Sequence, residues 1–177
     1  MPLRQLFAAT GLIALSACGS TMPTGLDGYA GPPPEPPAEQ ALAATCTGDA
    51  ALGQQMTDVM NATRSNQGKT VLAPEARLDE IAVSHACDMA QRGRLDVAGS
   101  NGSNVVDRAR AVGYPTCGVV QLVGRGTSPS AVVGTWLAQP PQREQVLGQL
   151  SYQIGSGAVR GPNGQVYHSV VLGNNCS

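Results

Sequence analysis

Apolar residues after position 50 recur at helical spacing. Leu52, Met56, Val59, Met60 and Thr63 fall on one face of a helix, which predicts an element over 49–65 with Asp49 as its N-cap. Leu78, Ala82, His85 and Met89, with Ile81 beside them, predict a second helix over 74–92. Pro74 suits its first turn and Gly93 its C-terminal stop. The pattern then breaks into a polar loop, 96-DVAGSNGSN-104, and a short helix near 104–112 that Gly113 ends. Residues 118–124 (GVVQLVG) read as a strand. Ser128-Pro129 opens a helix through Trp136 and Leu137, Pro140-Pro141 stop it, and 142–147 makes a last helical turn. Strands near 152–159 and 165–172 flank Gly161-Pro162-Asn163-Gly164 as a hairpin. Helices first and a small, mainly antiparallel sheet last is the signature of an α+β layered fold.

The start of the chain follows another pattern. A short basic start ending in Arg4 precedes an apolar run from Leu6 to Ala17, too short to cross a bilayer and of the length of a secretory signal core. The run ends in Leu15-Ser16-Ala17-Cys18, which resembles a bacterial lipobox, where the leader is cut before the cysteine and the new N-terminus is acylated. The chain is therefore expected to divide into a lipoprotein signal peptide (1–17), a lipid-anchored tether (18–45) containing the Pro-rich 31-GPPPEPPAEQ-40, and one domain (46–177). Gly19 stands where an aspartate often marks inner-membrane retention, so the expected location is the outer membrane, facing the periplasm.

Export changes the meaning of the five cysteines. With Cys18 lipidated, Cys46, Cys87, Cys117 and Cys176 remain, and an oxidising compartment makes disulfides their default. Three connectivities are open. The preferred one joins Cys46 to Cys176, across the domain's ends, and Cys87 to Cys117. No Cys-x2-Cys or Cys-x4-Cys spacing suggests zinc. Lys and Arg number 11 against 12 Asp and Glu, and the few aromatics are not interleaved with basic residues, which argues against a nucleic-acid partner. There is no Gly-x-Ser-x-Gly elbow, and Asp107-Arg108 reads as an exposed charge or a local ion pair.

Several stretches carry a family resemblance. These are Met60-Asn61-Ala62-Thr63-Arg64, Leu78 to Gly93, 102-GSNVVDRARAVGY-114, Ser130 to Leu137, Ile154-Gly155-Ser156-Gly157 and 167-YHSVVLG-173. In order and spacing they resemble the CAP superfamily (cysteine-rich secretory, antigen 5 and pathogenesis-related-1 proteins) in its bacterial SCP-domain form. The resemblance implies an α-β-α sandwich with a ligand cleft. In relatives that cleft often holds a metal through two histidines and a glutamate. By the same spacing those positions are Val97, Gln142 and Val119 here, none of them ionisable. No metal or other cofactor is therefore expected, and the groove should be more apolar than in relatives. His85 matches a helix histidine outside the metal set and reads as structural, packed and hydrogen-bonded to a backbone carbonyl or polar neighbour. His168 reads as a strand-surface residue. The function expected is that of an envelope-tethered CAP-domain lipoprotein acting as a non-catalytic binding or scaffold module. Its partners would be the membrane, through the lipid anchor, and a small apolar ligand or an envelope protein. The alternatives are a hydrolase or metal-dependent CAP protein, and a purely structural envelope lipoprotein.

Overall fold

The computed structural model describes residues 41–176. The expected signal peptide, the expected lipidation residue Cys18 and the Pro-rich stretch lie outside these described residues. In chain order the elements are α1 (Ala50–Asn66), β1 (Ala73–Pro74), α2 (Ala76–Arg92), α3 (Val105–Ala111), β2 (Thr116–Arg125), α4 (Pro129–Leu137), α5 (Pro140–Leu147), β3 (Gln153–Arg160) and β4 (Val166–Asn175). The strands make one sheet in the order β1-β3-β4-β2. β4 pairs antiparallel with both β2 and β3, and only the two-residue β1 runs parallel to its neighbour.

Alternation along β4 gives the sheet two apolar faces. Val170 and Leu172 join Met56 and Met60 of α1, Trp136 of α4 and Val146 of α5 in one core. Tyr167 and Val171 face the other way, into two clusters built largely on α2. The result is an α-β-α sandwich, with α1, α4 and α5 on one face and α2 and α3 on the other.

α2 lies unusually close to β3. A Cβ added to Gly155 would fall on the backbone of Leu78, and one added to Gly157 on that of Ala82. Small residues at alternate positions of the strand thus admit the helix backbone itself. From Ser84 to Ala90 every residue of α2 is buried, polar ones included. The outer side of the helix is covered by residues 41–46, a stretch expected to belong mostly to the tether. Ala41 and Ala44 are buried there, and Ser103 Oγ and Ser84 Oγ donate to their carbonyls at 2.9 and 2.7 Å. The packed region therefore begins before Cys46.

Other expectations need correction. The disulfides are Cys46–Cys87 and Cys117–Cys176, not Cys46–Cys176 and Cys87–Cys117. The first fastens the 41–46 strap to α2. The second joins the start of β2 to the residue following β4, its antiparallel partner. Pro74 pairs with Ile154 in the sheet, so α2 starts later, at Ala76, with the Glu75 carboxylate accepting from Arg77 N. Pro140-Pro141 not only ends α4 but fills the first turn of α5. The inward face of α1 is rotated from the expected one and includes Gly53, Thr57 and Arg64.

Candidate functional site

The feature that gathers most of the chemistry is an open cavity of about 500 Å³ beside the outer edge of β2. Its walls come from the loop after α2, the end of β2, and the facing sides of α4 and α5. Leu95, Val97, Val123, Val132 and Trp136 contribute apolar surface. Asp96, Arg125, Thr135, Gln139 and Gln142 contribute polar groups. The lining is thus mixed, apolar and polar.

Val97 and Gln142 meet in this cavity. Val119 does not. It pairs with Gly173 earlier on β2 and packs against the cluster of Leu78, Ile81 and Ala109. Sequence reasoning missed Arg125, Thr135, Gln139 and Trp136. Strand alternation was a usable signal for the first, since Val123 and Arg125 share a side of β2.

The loop wall is held from beneath by buried polar side chains. Arg108 is 1% exposed. Its Nη2 donates to Val97 O at 2.9 Å and to Gln121 Oε1 at 2.5 Å, while Nη1 donates to Ser103 O and Oγ. Gln121 passes the chain on, its Nε2 donating to Ser169 Oγ at 2.7 Å. Burial lowers the guanidinium pKa to about 10, with Asp107 and Asp88 opposing the shift. The reading of Asp107-Arg108 as an exposed charge or local ion pair holds for Asp107, which lies 3.9 Å from Arg110 Nη1, and fails for Arg108. Arg108 is buried, and Asp107 closes a capping box with Asn104 at the start of α3.

His85, 2% exposed, lies on the same layer. Its Nε2–H donates to Asp96 O at 2.7 Å, since a carbonyl can only accept. Burial holds its pKa below the usual histidine range, and the Arg108 charge adds to this. Asp88 completes the support by accepting from Ser100 N at 2.8 Å. The Asp96 carboxylate is itself engaged, by Arg94 Nη2 at 3.2 Å and Ala98 N at 3.0 Å.

His168 is fully buried instead of lying on the strand surface. Helices pack on both faces of β4, with α1, α4 and α5 against one and α2 against the other, so the ring is covered. Its Nε2–H donates to Gly126 O at 2.8 Å, and burial lowers its pKa. Neither histidine lines the cavity. Among the described residues no three His, Cys, Asp or Glu side chains group as a metal-ligand set.

A second cleft, about 320 Å³, lies between the starts of α1 and α2. Its two carboxylates serve the fold. Asp49 accepts from Leu52 N as the α1 cap, and Asp79 accepts from Ser156 N on the outer side of β3.

Comparison with known proteins places this geometry. Among solved structures the chain is similar to an outer surface protein from Borrelia burgdorferi, at 15% identity and a TM-score of 0.64, covering 69% of this chain and 91% of that one. It is also similar to an extracellular protein containing a SCP domain from Bacillus anthracis, at 16% identity and a TM-score of 0.64, over 72% of this chain and 41% of that one. A cysteine-rich secretory protein from Staphylococcus aureus matches at 15% identity and a TM-score of 0.56, over 70% and 38%. At these identities the likeness shows the fold. No curated protein matches the sequence. The family profile described as CAP, the cysteine-rich secretory protein family, matches residues 57–172, and the chain belongs to that family.

Proposed function

We propose that the protein is an envelope-tethered CAP-domain lipoprotein that acts as a non-catalytic binding module, with the cavity beside β2 as its ligand site. The composition of that cavity carries the reading. Its volume of about 500 Å³ suits a small ligand, and its ionisable side chains are Asp96 and Arg125. Asp96 is occupied by Arg94 and Ala98 N. Hydrolysis would need a base and a nucleophile within hydrogen-bond reach of each other, and the lining offers no histidine, cysteine or free carboxylate to serve as base. The mixed surface instead suits a ligand with an apolar body and a hydrogen-bonding end, a refinement of the apolar ligand expected from sequence.

Tethering is supported by the lipobox-like Leu15-Ser16-Ala17-Cys18 and by two disulfides, which belong in an oxidising compartment. Two of the structural relatives are described as an outer surface protein and an extracellular protein. Among the described residues no helix is long and apolar enough to cross a membrane. The proposed attachment is the lipid on Cys18.

The test is native mass spectrometry of the full chain after incubation with an envelope extract. A retained small molecule is expected, and Thr135→Trp, which fills the cavity from the exposed side of α4, should abolish retention. Retention of nothing by the wild-type protein would favour the purely structural alternative.

A further inference from the structure

We propose that the strap over α2 is a latch on the cavity. With residues 41–45 docked the loop wall is held, and release of the strap loosens that wall and lets a ligand go. The inference rests on the binding-module reading and adds its regulation. One buried node carries the coupling. Ser103 Oγ donates to Ala41 O of the strap at 2.9 Å and itself accepts from Arg108 Nη1 at 3.0 Å. The same guanidinium donates from Nη2 to Val97 O at 2.9 Å, and Val97 lines the cavity with Leu95 and Asp96. Gly99, midway along the loop, lies against the node, since a Cβ there would meet Ser103 Oγ and Arg108 Nη1. Strap, loop and α3 thus converge on one hydroxyl. With the strap away, water replaces Ala41 O at that hydroxyl, and the bonds that fix the loop must compete with solvent.

The strap can leave and return. It belongs to no helix or strand, and Ala41 and Ala44 bury only methyl groups. Serine hydroxyls hold its carbonyls, Ser84 at Ala44 and Ser103 at Ala41. Cys46–Cys87 fixes its far end to α2, so residues 41–45 would swing about a hinge and find the same seat again. The other end continues into the expected tether, so a pull on the tether reaches Ala41 first. Coupling of this kind is reciprocal, and a ligand that needs the loop in place also favours the docked strap. A strap that served only as cover would act differently. Its loss would loosen α2 directly beneath it, not the loop.

The test compares hydrogen exchange in the full chain with that in a Ser84→Ala, Ala44→Arg variant, which lifts the strap at two positions that do not line the cavity. The amides of Gly99 and Gly102 are bonded within the loop, to Ser103 O and Gly99 O. They are expected to exchange about tenfold faster in the variant, the scale of one lost hydrogen bond. Amides of Val170 and Leu172 in β4, and of Ala86 to Ala90 in α2, should not change. Ser84→Ala alone should give a smaller rise at the same loop amides, and it decides the matter if the double variant does not fold. The small molecule retained by the wild-type protein in native mass spectrometry should be depleted in the variant. Equal loop exchange in all of these proteins overturns the latch and leaves the binding reading intact. Faster exchange across α2 or β4 also overturns it, in favour of a structural cover. So does a loosened loop with undiminished retention. Retention of nothing by the wild-type protein overturns the binding reading on which the latch depends. Exchange is read without ligand, so the two failures are told apart.

Discussion

Two buried guanidiniums, Arg64 and Arg108, make no ion pair among the described residues, and each clamps backbone carbonyls instead. Arg64 donates to Thr70 O, Val146 O and Gly148 O, placing a cation at the C-terminal end of α5, where the helix dipole favours it. Arg108 does the same for the cavity loop. Arg108→Ala would leave Val97 O and Ser103 O unmet below the surface, at an expected cost of about 3 kcal/mol read from urea unfolding. Arg108→Lys should stay nearer the alanine variant than wild type, because a point cation cannot span four acceptors. The two histidines give a second expectation. Burial depresses both in the folded protein, while the unfolded chain titrates near pH 6.5, roughly. As pH falls through that value the unfolded state takes up protons first. Stability therefore declines below about pH 6.5 and levels off once the folded-state values are passed. Asp79 is shifted up by burial, so its contribution runs the other way at lower pH. Thermal unfolding between about pH 8 and 5 should show a falling midpoint, and a His85→Gln, His168→Gln double variant a flatter profile. A wild-type midpoint independent of pH would contradict the burial of both rings.

At the level of elements, the approach of α2 to β3 depends on Gly155 and Gly157. Gly157→Ala must push the helix off the sheet, because the added methyl meets helix backbone, not a side chain that can turn aside. A loss of more than about 3 kcal/mol is expected by denaturant titration. The control is Gly134→Ala on α4, where a Cβ meets nothing within 4 Å. That change should be neutral or slightly stabilising, since alanine is the better helix former. These contrasts also show which elements were legible in the sequence. α2 was, because its apolar residues keep helical period from Leu78 to Met89 and Gly93, at φ 65°, stops it. β1 was not, since two residues carry no period. The inward face of α1 was misjudged because it buries Arg64 and Thr57, which a hydrophobic count puts outside. The strap over α2 is short and alanine-rich, so it looks like more tether until its carbonyls are seen meeting Ser84 and Ser103. In the cavity, Val97 and Gln142 could be placed by motif spacing. Trp136 needed the strand order, which makes β2 an edge, whereas alternation along β2 already puts Arg125 on the side of Val123.

For the whole molecule, the disulfide pairing bears on the proposed attachment. Cys46–Cys87 and Cys117–Cys176 use four of the five cysteines, and the fifth is Cys18, the proposed site of acylation. Both bridges were mis-paired from sequence because the domain's two ends were expected to be tied together. In fact each bridge secures one end to a neighbouring element, the strap to α2 and the residue after β4 to β2. In the loop-closure picture bridges of 41 and 59 residues each stabilise by about 4 kcal/mol, so the fold should not depend on the proposed anchor. Cys18→Ser is therefore expected to abolish incorporation of labelled palmitate and shift the protein from the membrane pellet to the soluble fraction. Thermal unfolding of the domain should stay unchanged, because the disulfides do not involve that residue. Cys46→Ser with Cys87→Ser should do the reverse, lowering the unfolding midpoint while membrane fractionation persists. If the Cys18→Ser protein still pelleted with membranes and carried label, attachment would have to come from elsewhere in the chain, and the lipobox reading would be lost.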